Sequence, residues 1–224
     1  MDSSRKCAPD TGWLQQAGAR ARAFWPEKMF GTILSMAAFF TVYFWLLRHP
    51  IFPLTTIPFT AVDRWIGFQP GALPLYLSLW LYVSLAPALL SDRGELVSYG
   101  VAAMGLSIIG FGIFLFWPTQ MPWPPANWPP SSPFAFLKSV DASANACPSM
   151  HAAFAVFTAI GFERILRQMG AGRLVRALNW LWCLGILYST IAVRQHVSLD
   201  ILAGAVLGAA VAVAHQRLNR TRKI

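Results

Sequence analysis

Two histidines and an aspartate are the residues of this sequence best suited to chemistry. His196 and Asp200 are four residues apart, which places them on one face of a helix. The carboxylate can then accept a hydrogen bond from one ring nitrogen and leave the other nitrogen as a nucleophile or base. His151, which lies elsewhere in the chain, could serve as the acid.

The segment that carries His151 begins with a proline. Pro148 at the first helical position predicts that the amides of Ser149, Met150 and His151 point outward at the positive end of a helix, where anions bind. An anion site, an oriented nucleophile and a second histidine together indicate phosphoryl transfer.

The elements that position these residues are predicted to be membrane-spanning helices. The chain has 224 residues, of which 56% are hydrophobic and only 12% charged, whereas a soluble domain has about 25% charged residues. This excludes an ordinary soluble enzyme, a disordered chain and a disulfide scaffold. Six nearly uncharged stretches predict an all-α fold, an integral membrane bundle of six transmembrane helices. The six stretches are 29–47, 73–90, 96–117, 148–166, 177–193 and 197–214.

Three parts of the chain are predicted around this bundle. Residues 1–28 form a cytoplasmic or interfacial amphipathic segment, because their apolar residues recur at helical spacing. Residues 29–216 form the six-span domain, and 217–224 a basic cytoplasmic tail. The long loops 48–72 and 118–147 are rich in proline and are expected to be ordered but poor in helix.

The distribution of basic residues predicts the orientation. If the loops alternate sides, all but four of the 18 Lys and Arg residues fall on one side, which predicts that both termini are cytoplasmic. The net charge of +9 is then mainly a topology signal, and a nucleic-acid partner is not expected.

The residues suited to chemistry lie at the outer ends of the fourth and sixth spans. We therefore expect a multi-pass protein of a bacterial-type inner (plasma) membrane, with its site facing the periplasm or outside. The four outer basic residues are Arg48, Arg64, Lys138 and Arg194.

Around these residues the sequence resembles the type 2 phosphatidic acid phosphatase superfamily, a six-span membrane fold. One motif of that superfamily is Pro-Ser-Gly-His, and another is Ser-Arg, five residues, His, three residues and Asp. The matching positions here are Pro148, Ser149 and His151 in the first of these, and Ser189, His196 and Asp200 in the second.

The resemblance implies metal-independent chemistry through a phosphohistidine, with no cofactor. His196 would attack phosphorus and Asp200 would orient it. His151 would protonate the leaving oxygen, and Ser149 would hold a phosphate oxygen. Ser189 and Thr190, at the start of the third motif, are further candidates for substrate binding.

The chain also departs from the superfamily at three places. Met150 replaces a glycine, Thr190 replaces an arginine, and the expected first motif, 118–124, contains no Lys or Arg. A phosphate monoester carries a charge of roughly −1.5 to −2, so other cations must offset it. Arg194 is the first candidate, followed by Arg64 and Lys138.

These departures resemble the branch that holds inositol phosphorylceramide synthase and its bacterial relatives. Members of that branch transfer a phosphorylated headgroup to another lipid, and a diester substrate carries about one negative charge and needs fewer cations. We therefore expect a lipid phosphate phosphatase at the extracytoplasmic face, with headgroup transfer as the alternative. The expected partners are a lipid phosphate or phospholipid substrate and the bilayer.

Two other functions also fit these residues. Two histidines and an aspartate could ligate zinc in a metal-dependent hydrolase, and a lipid carrier would be a non-enzymatic alternative. Gly204 and Gly208 form a Gly-x-x-x-Gly pattern that predicts either an internal helix contact or an oligomer. Asp63 and Asp141 are expected to be loop caps. Cys147 is expected to be inert.

Overall fold

The structure, a computed structural model, describes residues 12–122, 132, 134 and 145–221, and these residues are mostly helical. The helices are α1 (Trp13–Arg22), α2 (Trp25–Arg48), α3 (Ala61–Ile66), α4 (Leu73–Leu77), α5 (Leu79–Ala88), α6 (Arg93–Phe116), α7 (Met150–Gln168), α8 (Arg173–Ala192) and α9 (Ser198–Thr221). A 3-10 turn covers Pro70–Ala72, and two short strands are β1 (Thr55–Thr56) and β2 (Thr119–Gln120).

Within the described residues, five helical stretches are long and apolar enough to cross a membrane. They are Trp25–Arg48, Pro70–Ala88, Arg93–Phe116, Arg173–Ala192 and Ser198–Asn219. The chain is thus a multi-pass membrane protein with an all-helical architecture.

Helix α7, in the fourth predicted span, is not one of these five stretches. It packs against α5, α6, α8 and α9, so much of its surface faces protein instead of lipid. Its last turns carry Glu163, Arg164 and Arg167. A helix surrounded by other helices needs less apolar surface than one that contacts lipid on most sides.

The second predicted span, 73–90, is interrupted. After the 3-10 turn, α4 ends at Leu77 and α5 begins at Leu79. The hydroxyl of Ser78 donates to the carbonyl of Leu75 (2.6 Å) and accepts from the indole of Trp182 (2.8 Å). Serine that bonds to a carbonyl of the preceding turn bends a helix.

The Gly-x-x-x-Gly pattern is used inside the protein. A Cβ at Gly204 would collide with the carbonyl oxygen of Ser149, and one at Gly208 with that of Ala153. Helices α7 and α9 therefore approach each other at backbone distance along these two glycines. This close approach brings the amino-terminal ends of α7 and α9 together.

The loop 48–72 contains one short helix, α3, which begins at a capping box. Thr60 accepts from the amide of Asp63, and the Asp63 carboxylate accepts from the amide of Thr60. Beyond α3, strands β1 and β2 pair in parallel with Thr55 opposite Thr119, and Thr119 also forms a bridge with Asn145. Apart from the last residue of α2, only α3 and the 3-10 turn are helical in 48–72, so this segment is ordered and mostly non-helical, as predicted.

The amino-terminal segment contains the predicted helix, α1. The side chain of Lys28 is only 6% exposed and donates to the carbonyls of Arg20 (2.6 Å) and Ala88 (2.8 Å). Both carbonyls lie at carboxyl ends of helices, α1 and α5, where a cation is stabilised by the helix dipole.

Candidate active site

The site is built on the first turn of α9 and the residues that precede it. The ring nitrogen Nδ1 of His196 donates to Oδ2 of Asp200 at 2.8 Å, and both side chains are buried. This hydrogen bond assigns the proton to Nδ1 and places Nε2 on the other edge of the ring as the nucleophilic nitrogen. The carboxylate also stabilises positive charge that develops on the ring.

Asp200 connects this pair to α7. Its Oδ1 accepts from the amide of Val197 (2.9 Å), and its backbone carbonyl accepts from the amide of Ser149 (2.9 Å). The side chain is fully buried. A buried carboxylate with these bonds is fixed in position, and so is the imidazole that it orients.

His151 reaches the same place from the first turn of α7. Its ring centroid lies 6.2 Å from that of His196, so the two imidazoles face a common space. The ring stacks on Tyr76 (4.3 Å between centroids) and meets the edge of Trp80 (5.4 Å). Among the described residues, its Nε2 atom is buried and has no hydrogen-bond partner. Such an atom costs free energy unless a ligand or water completes its bonding.

The start of α7 differs from the prediction in one respect. Ser149, not Pro148, is the residue that caps the helix, and its hydroxyl accepts from the amide of Ala152 (3.2 Å). Because the amide of Ser149 already donates to Asp200, the amides of Met150 and His151 are the ones left at the helix end for an anion.

Met150, which stands where the superfamily has glycine, packs toward α6. A Cβ at Gly110 would collide with the sulfur of Met150, so the thioether lies directly against the glycine backbone. The larger side chain is accommodated because α6 has no side chain at that point. It therefore points away from the space between the two histidines and does not fill it.

Arg194 lies in the turn between α8 and α9. Its backbone adopts a left-handed conformation, with φ of 59°, which is uncommon for a residue other than glycine. The guanidinium lies over the ring of Phe68, 5.3 Å from its centroid. The turn that carries this cation ends at His196, two residues further on.

Ser189 and Thr190 shape this turn. Both are fully buried, and their hydroxyls donate within α8, to the carbonyls of Ile186 (2.7 Å) and Leu187 (2.6 Å). The carbonyl of Thr190 accepts from the amide of His196 (3.2 Å). The hydroxyl protons of both residues are therefore used in bonds within α8. The carbonyl of Thr190 fixes the backbone of His196.

Of the other two predicted cations, the structure describes only Arg64. Arg64 is exposed on α3, and no contact links its side chain to the histidines in the described ranges. Lys138 and Asp141 lie outside the described residues.

Asp63 is a residue of the site that sequence reasoning undervalued. It is 1% exposed. Besides capping α3, its carboxylate bonds to Ser198 at the start of α9. Its Oδ1 accepts from the amide of Ser198 (2.7 Å), and its Oδ2 accepts from the Ser198 hydroxyl (3.1 Å). Asp63 therefore joins α3 to the first residue of α9. The Thr60-x-x-Asp63 spacing signalled the cap, but not the bond to a residue far along the chain.

Thr119 holds the loop that precedes Ser149. It is fully buried in the stretch that matches the first motif by position only. Its hydroxyl accepts from the amide of Cys147 at 2.7 Å. Burial and the nearby charge of Asp200 raise the pKa of the Cys147 thiol to about 11, so the thiol stays neutral near neutral pH and is a poor nucleophile. This agrees with its expected inertness.

The geometry suits acid-base and nucleophilic chemistry. Within the described residues, no group of three or more His, Cys, Asp and Glu side chains is arranged to hold a metal ion. A reacting phosphorus between the two rings would meet a nucleophile on one side and an acid on the other.

Comparison with known proteins agrees with this chemistry. No curated protein and no solved structure matches the chain. A family model described as the PAP2 superfamily matches residues 95–223, more than half of the sequence, and this match includes α7, α8 and α9 with His151, His196 and Asp200. The resemblance seen in the motifs is thereby confirmed: the chain belongs to the PAP2 superfamily of phosphatases and phosphotransferases.

Proposed function

We propose that this protein is a lipid phosphate phosphatase that acts through a phosphohistidine at His196. The observation that carries the proposal is the arrangement of two imidazoles 6.2 Å apart, one bonded to a buried carboxylate and the other with a buried, unpartnered Nε2 among the described residues. The membrane-spanning helices favour a substrate that resides in the bilayer.

In the first step, the lone pair on Nε2 of His196 forms a bond to phosphorus. The bond between phosphorus and the lipid oxygen breaks, and protonated His151 gives its proton to that oxygen. Asp200 stabilises the imidazolium that results. In the second step, His151 takes a proton from water, whose oxygen displaces His196 from phosphorus. Free phosphate leaves, and both histidines return to their starting states.

The negative charge of the phosphoryl group is offset by the amino-terminal end of α7 and by Arg194. The amides of Met150 and His151 point out of the positive end of the helix dipole. Arg194 adds a full charge from the turn before His196. Ser149 contributes as the cap that sets the direction of these amides.

The site is proposed to face the extracytoplasmic side of the inner (plasma) membrane, with both termini cytoplasmic. Helices α7 and α9 begin at the same end of the bundle, and most Lys and Arg residues fall toward the other end. We retain the six-span domain of residues 29–216, the interfacial segment 1–28 and the basic tail 217–224 as part of this proposal. A reporter that is active only in the cytoplasm should therefore give a signal when fused to the carboxyl terminus, and a reporter that is active only outside the cytoplasm should give none.

Headgroup transfer, as in the inositol phosphorylceramide synthase-like branch, is the alternative. The stretch where the superfamily has its first motif provides no cation here, and its Thr119 is buried and bonded to Cys147. A diester with about one negative charge would need less compensation than a monoester. The same phosphohistidine chemistry would then end with an acceptor alcohol in place of water.

One experiment tests the proposal and separates the two reactions. The full-length protein is incubated with candidate lipids in EDTA, with and without a second lipid alcohol, and the products are analysed by mass spectrometry. Free phosphate and dephosphorylated lipid indicate a phosphatase, whereas a new phosphodiester that appears only with the acceptor indicates a transferase. Turnover that stops in EDTA and returns with zinc would contradict the proposed chemistry.

Arg194→Gly is expected to lower kcat/KM by about 10- to 100-fold, since a hydrogen bond to a charged group contributes about 1.5–3 kcal/mol. Glycine tolerates the left-handed backbone at this position, so the turn is retained and only the side chain is lost. Arg194→Lys keeps the charge but loses the planar guanidinium, so its kcat/KM should lie between those of the wild type and Arg194→Gly. An unchanged kcat/KM for Arg194→Gly in steady-state assays would show that the guanidinium does not contact the phosphate.

Asp63→Ala is expected to lower kcat by about 100-fold with little change in KM, because a small misplacement of catalytic groups has effects of this size. The first residue of α9 would lose its two bonds to the carboxylate, and His196 would lose its fixed position. Asp63→Asn, which can still accept from Ser198, should recover much of the rate. If Asp63→Ala and Asp63→Asn fold and have the wild-type kcat, Asp63 does not position the site.

A further inference from the structure

A polar cavity lies at the end of the bundle opposite His196, beside the connection between α7 and α8. Its volume is about 280 Å³, and its lining consists of Glu163, Arg167, Arg173, Arg176, Ala177 and Trp180. Glu163 is twelve residues beyond His151 on α7, which corresponds to roughly 18 Å along the helix. The cavity is therefore separate from the proposed reaction site.

The cavity is positively charged. Three guanidinium groups and one carboxylate line it, so positive charges exceed negative charges by two. Oε1 of Glu163 pairs with Arg167 (2.6 Å) and Arg176 (2.7 Å). Arg173 has no acidic partner in the described part of the chain. It is also the first residue of α8, whose first turn has neither an acidic residue nor a side-chain cap, so the helix dipole adds to the attraction for an anion.

The second carboxylate oxygen of Glu163 restricts what this anion can be. The side chain is 10% exposed, and its Oε2 atom is buried and has no hydrogen-bond partner among the described residues. A buried acceptor left in this way costs free energy. The fitting occupant thus combines a negative charge for the arginines with a hydrogen-bond donor for Oε2.

An apolar surface continues from the cavity along α8. Leu174, Leu178 and Leu181 are 73%, 53% and 61% exposed, and their spacing places them on one helix face. Trp180, at the rim, is 39% exposed, as is common for tryptophan at a membrane interface. An occupant with acyl chains can lie along these leucines while its headgroup enters the cavity.

We propose that this cavity binds an anionic phospholipid with a hydroxylated headgroup, such as that of phosphatidylglycerol. The phosphate lies at Arg173, and a headgroup hydroxyl donates to Oε2 of Glu163. An ammonium headgroup also donates, but it would place another cation among three arginines. The volume suits a headgroup better than a whole lipid, since pockets for drug-sized ligands span about 300–1,000 Å³.

The test measures lipid affinity instead of activity, so it does not depend on the proposed function. The full-length protein in detergent is titrated with short-chain phosphatidylglycerol, phosphatidylmethanol or phosphatidylcholine, and the thermal unfolding midpoint is followed. Phosphatidylmethanol has the same charge as phosphatidylglycerol but no headgroup hydroxyl. We expect the highest affinity for phosphatidylglycerol, an intermediate one for phosphatidylmethanol and the lowest for phosphatidylcholine. Equal affinities for all three lipids would overturn the proposal.

Arg173→Ala is expected to weaken phosphatidylglycerol binding about tenfold or more. Arg217→Ala is the matched control, because it removes an exposed arginine of α9 at the same end of the bundle. It should leave the affinity unchanged. An equal loss in both variants would indicate attraction to the general surface charge, and no loss in Arg173→Ala would exclude the cavity as the binding site.

Discussion

Replacing His196 with alanine is expected to lower kcat by about 10⁴-fold or more, in line with the loss of a covalent nucleophile in other enzymes. No other imidazole in the described residues has the same relation to a buried carboxylate, with a bond of 2.8 Å to Asp200. The measurement is the initial rate of phosphate or headgroup release in EDTA. Retention of the wild-type rate would end the assignment of His196 as the nucleophile.

His151→Ala provides the control that separates the two histidines. With an alkyl phosphate substrate, loss of the acid should lower the rate by about 10²- to 10⁴-fold. With an aryl phosphate whose leaving group is stable as an anion, the first step, measured as a burst of released aryl alcohol, should largely recover, since that group needs no proton. The second step, in which His151 is the base, should remain slow. His196→Ala should remain inactive with both substrates. Recovery in both variants, or in neither, would contradict the division of roles.

Replacing Gly204 with alanine is expected to lower both the stability of the protein and its activity. The new methyl group would collide with the carbonyl oxygen of Ser149, which is backbone and cannot rotate away. Overpacking of this kind lowers the free energy of unfolding by about 1–3 kcal/mol. The forced shift also separates Ser149 from Asp200, so kcat should fall by about 100-fold. Activity and the unfolding midpoint are measured on the same preparation.

Two glycines serve as controls for Gly204→Ala. Gly208→Ala collides with the carbonyl of Ala153, one turn further from the site, and should lower stability similarly with a smaller effect on kcat. Gly105→Ala, on α6, meets nothing within 4 Å and should be neutral or stabilise the helix by up to about 1 kcal/mol. If Gly204→Ala behaves like Gly105→Ala, α7 and α9 do not meet as closely as the structure indicates.

The parts of the site that the sequence predicts are those set by local spacing. His196 and Asp200 are four residues apart, and the predicted hydrogen bond between them is present. The predicted shared helix face was wrong, because His196 precedes α9 and Asp200 reaches back to it from the first turn of that helix. The approach of His151 follows from its equal depth in another helix and from the motif around Pro148. Membership of the superfamily was predicted from the same few residues.

The parts that were not predicted depend on contacts between distant segments. The bond from Asp63 to Ser198 joins positions 135 residues apart, and no spacing rule indicates such a pair. The amide of Ser149 was expected to face an anion, but α9 lies close enough for Asp200 to accept from it. The stacking of Tyr76 on His151 similarly depends on the break at Ser78 and on how α4 and α5 pack against α7.

The central claim is that phosphorus becomes bonded to Nε2 of His196. The most direct measurement is mass spectrometry of the full-length protein quenched with base during turnover, since phosphohistidine survives base but is lost in acid. The account predicts a phosphoryl or phospho-headgroup adduct on the peptide that contains His196. This adduct should be absent from His196→Ala, and it should accumulate in His151→Ala with an aryl phosphate. An adduct on another residue would contradict the account. So would turnover without any adduct in both the wild-type protein and His151→Ala.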